Sequence, residues 1–291
     1  MEHFAECHGH IFMDGRDYRA ALSLHKNGPV EPDIRSHLSA CQKQNITYFR
    51  DGGDALGVSR RAAELAGEYG ITYVTPAFAI HRRGRYGSIV GLGYEDLTEY
   101  RALVARARDQ GADFIKLMFS GLLDFNVYGQ LSCPPLPAEE IRELVHIAHG
   151  EGFPVMAHVN GAGALRAALE AGADSIEHGY YMDGDCAALL AETGALWVPT
   201  LAAIHAFRDR EGFSSAVVDR ILADQGERLR QAVAAGALVA SGSDAGAVGV
   251  PHGEGLVRER QLLAEALGPG WEAVTARGNA ALRDRFPSRR R

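Results

Sequence analysis

An α/β protein closed as a (β/α)8 (TIM) barrel, with a C-terminal covering helix, is the architecture this sequence predicts. Three observations carry that expectation. Short apolar, β-branched runs alternate with longer amphipathic stretches from one end to the other. Several amphipathic stretches stop at a glycine, with the next apolar run close behind. A chain of 291 residues has the length of a single barrel of this kind.

The elements follow in order. Strands are expected at 4–11, 46–50, 71–79, 114–119, 155–159, 175–178, 196–200 and 238–243. Helices are expected at 59–69, 94–110, 138–151, 162–171, 183–193 and 216–235, and Gly70, Gly111, Gly152, Gly172 and Gly194 mark the ends of five of them. Strands separated by helices imply a parallel sheet. A doubly wound open sheet is the alternative, but it calls for a Gly-rich loop after the first strand, and Asp14-Gly15-Arg16 is not one. No linker interrupts the pattern, so residues 1–291 read as one domain. The last helical stretch, 271–285, is expected to cover the side or bottom of the barrel.

Bulk properties exclude some functions. A hydrophobic content of 46% with 23% charged residues is ordinary for a soluble protein. A net charge of −7 argues against sequence-independent binding to nucleic acid or an anionic membrane. No segment approaches the ~20 apolar residues of a membrane span, and no secretion signal is expected. Cys7, Cys41, Cys133 and Cys186 form no CxxC pair, which points to reduced thiols, packing roles and a cytoplasmic location. The run Arg289-Arg290-Arg291 reads as a solvated tail.

Chemistry gathers at the ends of the apolar runs. His8 and His10 are two residues apart on a strand-like run, a spacing that offers two imidazoles to one metal ion. Lys116, His158, His178 and Asp244 each sit in or just after a later run. In a barrel these positions fall at the C-terminal ends of strands, where barrel enzymes keep their catalytic groups. Each has an ordinary structural use when taken alone. Independent structural uses would not all coincide with strand ends.

The motifs His8-Gly9-His10, Phe114-Ile115-Lys116-Leu117-Met118, Ala157-His158-Val159-Asn160-Gly161, Ser175-Ile176-Glu177-His178-Gly179, Val198-Pro199-Thr200-Leu201 and Gly242-Ser243-Asp244-Ala245-Gly246, with Arg50-Asp51, resemble the amidohydrolase superfamily. The likeness is nearest to its metal-dependent prolidase and imidazolonepropionase-like branch, and it covers essentially the whole chain. It implies two divalent ions, zinc first, with manganese, iron or cobalt as alternatives. His8, His10 and Asp244 would hold one ion and His158 and His178 the other, with a carbamate formed on Lys116 from CO2 as the bridge. The ions would share a water and lower its pKa from near 16 to about 7, giving a bridging hydroxide. Asp244 would shuttle its proton to the leaving amine. The family's β-sandwich is expected to be absent, which would leave apolar surface open to self-association. Cys7 stands where relatives usually have an acidic residue.

Substrate contacts are expected from the basic loop after the third strand and from other mouth loops. His81, Arg82 and Arg85 would clamp an anionic group. Tyr128 would donate to an oxyanion, and His252 lies shortly after Asp244. Asn160, Tyr180 and His205 are further mouth positions. The leading expectation is therefore cleavage of a C–N bond in a small, carboxylate-bearing substrate such as a dipeptide or N-acyl amino acid. Hydrolysis of a lactone, carbamate or phosphotriester by the same site is the alternative, and a non-catalytic metabolite-binding barrel is a remote one.

Overall fold

In the computed structural model, which describes residues 3–289, the apolar runs form parallel strands and the stretches between them form helices. The first half comprises β1 (Phe4–Gly9), α1 (Tyr18–His25), α2 (Glu31–Lys43), β2 (Ile46–Asp51), α3 (Val58–Leu65), β3 (Thr72–Val74), β4 (Ala79–Arg82), β5 (Gly91–Tyr94) and α4 (Leu97–Asp109). Next come β6 (Ile115–Met118), α5 (Ala138–Gly150), β7 (Val155–Val159), α6 (Ala162–Glu170), β8 (Ser175–His178) and α7 (Gly184–Thr193). The chain continues with β9 (Leu196–Val198), α8 (Leu201–His205), α9 (Ser215–Ala235), β10 (Leu238–Val239), α10 (Glu254–Leu267) and α11 (Trp271–Arg285).

The strands pair as β1-β2-β3 and as β10-β9-β8-β7-β6-β4-β5. Backbone bonds join the two sheets at both edges. Cys7 N–H donates to Ser241 O at 3.0 Å and Asp244 N–H to His8 O at 2.8 Å, while Asp113 N–H donates to Thr75 O at 2.8 Å. The result is a parallel, barrel-like core flanked by helices.

Three strands differ from expectation for local reasons. The expected run at 71–79 is bent into β3 and β4, because Pro76 lacks an N–H and Ala77 turns to a φ of 64°. β3 pairs with β2 and β4 with β6. β1 stops at Gly9 with a register shift between Glu6 and Gly9, so His10 lies just beyond the regular strand. β10 is short, but its continuation still pairs, with Ala240 N–H donating to Trp197 O at 2.9 Å.

Helix ends follow local chemistry. Asp96, Asp183 and Ser214 cap the N-termini of α4, α7 and α9 through their side-chain oxygens. Gly70, Gly111, Gly152, Gly172 and Gly194 all adopt positive φ, as glycines ending helical segments do.

Inside the lower barrel, Cys7, Tyr48, Phe114, Met156 and Leu196 pack together, and α11 adds Leu282 and the following Phe286 to them. Burial pushes the Cys7 thiol up to about 12, which suits packing rather than nucleophilic chemistry. Of the basic C-terminal run, Arg290 and Arg291 lie outside the described residues. Arg289 is anchored, its N–H donating to Asp113 Oδ1 at 2.7 Å. Among the described residues, no helix is long and apolar enough to cross a membrane.

Candidate metal centre

β1 carries His8 into the barrel with no solvent exposure. Its Nδ1 donates to Glu177 Oε2 on β8 at 2.6 Å, and Glu177 Oε1 accepts from Arg50 Nη2 on β2 at 2.8 Å. Arg50 also donates to Cys7 O at 2.8 Å and Ser175 Oγ at 2.7 Å. A buried carboxylate between an imidazole and a guanidinium fixes which ring nitrogen carries the proton. Nε2 of His8 is therefore left with its lone pair facing the cluster. Glu177, rather than the residue before His8, supports the ring from behind.

Around that lone pair stand Lys116 Nζ at 3.2 Å and Asp244 Oδ1 at 3.5 Å. His10 Nε2 is also 3.5 Å from Asp244 Oδ1. The ligand atoms of His8, His10 and Asp244 all lie within 4.8 Å of one another, so the three form a cluster able to coordinate one divalent cation. The rings of His158 and His178 meet edge to face with centroids 4.6 Å apart, and the His178 centroid is 4.9 Å from that of His8.

Burial sets the protonation of the whole group. It holds His8, His10 and His178 well below the usual imidazole range, and it takes His158 down to about 3. Neutral imidazoles are what a metal ion requires. Burial also lowers Lys116 to about 8 and raises Asp244 to about 6. The donor set thus fits a divalent cation in residue type, spacing and charge state.

Strand ends aim these side chains by leaving the extended conformation. His178, Thr200 and Asp244 have φ values of 68°, 50° and 63°. Thr200 Oγ1 lies 2.7 Å from His178 Nδ1 and 2.6 Å from the Tyr180 hydroxyl, linking the two rings. Gly52 makes room on the other side, since a Cβ there would lie 2.1 Å from His10 Cε1. Beneath the site, Ser243 donates to Glu6 through both N–H and hydroxyl, at 2.8 and 2.5 Å.

A cavity of about 300 Å³ opens above the cluster. His10, Lys116, His158, His178, Asp244, Asn160 and Tyr180 line it. Asn160 and Tyr180 were expected at the mouth, whereas the other residues expected there are tied elsewhere. Arg82 bonds Glu140 at 2.6 Å and Arg85 bonds Pro134 O at 3.0 Å. His81 Nδ1 lies 3.0 Å from Arg82 O, and His252 Nε2 lies 2.8 Å from Met13 O. Tyr128 donates to Asp224 and sits beneath the Arg220 guanidinium. His205 is paired with Arg258 at 2.7 Å. None of these six lines the cavity. The basic loop met its acids within the protein instead. Sequence reasoning missed the parts played by Glu177 and Thr200, although both sit inside motifs it had singled out.

An uncharacterized protein of Mycobacterium tuberculosis is 32% identical over 219 residues, covering 70% of this chain and 58% of the relative. Ochratoxinase of Aspergillus niger is 30% identical over 241 residues, covering 80% of this chain and 46% of the enzyme. The chain therefore spans about half the length of the curated relatives it matches. A solved prolidase complexed with N-methylphosphonate-L-proline superimposes with a TM-score of 0.78 at 24% identity, over 99% of this chain and 75% of that one. A Xaa-Pro dipeptidase with bound methionine gives 0.76 at 23% identity, over 97% and 75%. At that identity the likeness is one of fold. The amidohydrolase family model matches residues 4–268. The chain belongs to the amidohydrolase family, whose members hydrolyse C–N and amide-type bonds.

Proposed function

We propose that this protein is a binuclear metal-dependent amidohydrolase that cleaves a C–N bond in a small substrate. One observation carries the reading: His10, Lys116, His158, His178 and Asp244 line a single cavity, and His8 lies beneath it, 3.2 Å from Lys116. In this reading β3 and β4 count as one bent stave and β5, which pairs only with β4, lies outside an eight-stave barrel, with the site at the barrel's C-terminal mouth. His8, His10 and Asp244 would hold one cation and His158 and His178 the second, with Lys116, as a carbamate, supplying an anionic oxygen ligand between these two sets. The reading is supported by the fully buried Lys116 amine, which burial lowers to about 8 and so brings closer to the neutral form that addition to CO2 requires.

When bound, a pair of divalent cations lowers the pKa of water and polarises a carbonyl. The protein's own groups do the rest. Glu177 and Arg50 keep the His8 proton on Nδ1, so Nε2 stays a ligand. Asp244, raised to about 6 by burial, takes a proton on its carboxylate from the attacking water and returns it to the leaving nitrogen. Burial of the cluster keeps bulk water from screening these charges.

Elemental analysis of protein purified without chelator is the direct test, and about two Zn or Mn per chain is expected. Lys116→Ala should lower that number toward one or less, and bicarbonate should speed reconstitution of the wild type. A value near zero that bicarbonate and divalent metal cannot restore would overturn the proposal. Asp244→Asn should retain most of the metal and lose about 10²–10⁴-fold in kcat. Survival of turnover in that variant would remove Asp244 from the proton path.

A further inference from the structure

We infer that the cavity selects a substrate with an apolar, aromatic-sized group beside the scissile bond and offers no seat for a free carboxylate. This inference deepens the hydrolase reading above and rests on it. Its starting point is the uneven lining of the cavity. Apart from Tyr18 and Tyr86, the polar side chains are gathered at the cluster, whereas Met118, Leu122, Leu123, Phe125, Ile204 and Phe207 form much of the wall.

No arginine is among the lining residues, and Lys116, the single lysine, belongs to the cluster itself. The arginines of the nearby loop have partners already. Arg82 meets Glu140, Arg83 meets Glu99, and Arg85 meets a backbone carbonyl. A carboxylate brought against this wall would lose its water and gain no cation. An apolar group would instead cover surface that is now wet, since Leu122 is 42% exposed.

The wall is also preorganised. Phe125 and Phe207 stack with ring centroids 4.1 Å apart and 15° between planes. Phe213 meets the edge of Phe207 at 4.8 Å. Rings fixed by each other present a flat apolar face without first having to order. The side chain that such a face fits is aryl or arylalkyl.

The test is a matched pair, N-benzoyl-L-phenylalanine and N-benzoyl-2-phenylethylamine, which share both rings and the amide and differ in the carboxylate. Calorimetry and turnover are measured with metal-replete protein. The neutral compound should bind at least about tenfold tighter, about 1.4 kcal/mol, and its kcat/KM should lead by a similar factor. Leu122→Arg, which places a guanidinium at the exposed rim, should shrink or reverse that ratio. A binding ratio of about threefold or less, a preference for the carboxylate, or no binding of either compound at millimolar concentration would overturn the inference. Tighter binding of the neutral compound without hydrolysis of either would support the apolar seat and count against the hydrolase reading.

Discussion

The floor of the cavity is assembled from residues far apart in the chain, and its buried polar atoms are tied to one another. Arg50, Glu177 and His8 come from three strands and leave no solvent exposure. The wall is made differently. Leu122, Leu123 and Phe125 follow β6, Ile204 and Phe207 follow β9, and their contacts are apolar or aromatic. In the proposed reading, chemistry falls to the rigid sheet and recognition to the loops it carries, a division that lets the wall change without disturbing the floor.

Substitutions can break or sharpen that division. The largest effect is expected from Arg50→Ala, which leaves Glu177 buried without its guanidinium. Loss of one partner from a buried pair costs about 3–5 kcal/mol, read as a fall in the urea midpoint. An unchanged midpoint would mean that the floor does not depend on this pairing.

Phe207→Ala should be milder, because the ring is half-buried at the wall. It should raise KM for aromatic amides about tenfold, the equivalent of about 1–2 kcal/mol of apolar and ring contact, with kcat within about threefold. A large fall in kcat at unchanged KM would place this ring in the chemistry and erase the distinction between floor and wall.

A pH-dependent effect concerns the support beneath the wall. Glu259 on α10 is fully buried, and its Oε2 accepts from Ala202 N–H at the start of α8, 2.6 Å away. Burial pushes its carboxyl from 4.5 up to about 8. A carboxyl raised on folding contributes stability below its unfolded pKa and loses it as pH rises through the folded value. Wild type should therefore lose stability relative to Glu259→Gln between about pH 4.5 and 8. Denaturant midpoints across that range check the sign, and parallel curves would show that Glu259 is ionised throughout.

Much of this molecule is legible in one dimension because its signals are local. Helix ends were readable at Gly111 and Gly172 because a left-handed cap needs only its own residue type. His158 and His178 were readable because strand ends in such folds carry the chemistry. β5 was hidden, since Gly91-Leu92-Gly93-Tyr94 has poor strand propensity and is held by pairing with β4. The basic loop looked like an anion clamp because charge is visible in sequence. Its partners are not, with Glu140 lying 58 positions beyond Arg82. Glu177 escaped for the same reason, 169 positions from the imidazole it orients.

Thr200 shows what the site demands of its scaffold. A β-branched residue at a φ of 50° is a genuine backbone outlier, and such conformations carry about 1–3 kcal/mol of strain. Glycine would relax it, yet glycine has no hydroxyl to hold His178 and Tyr180 together. The side chain and the backbone at this position therefore favour opposite residues. Selection for thermal resistance alone would favour glycine at position 200, at the expense of the hydroxyl that joins His178 to Tyr180.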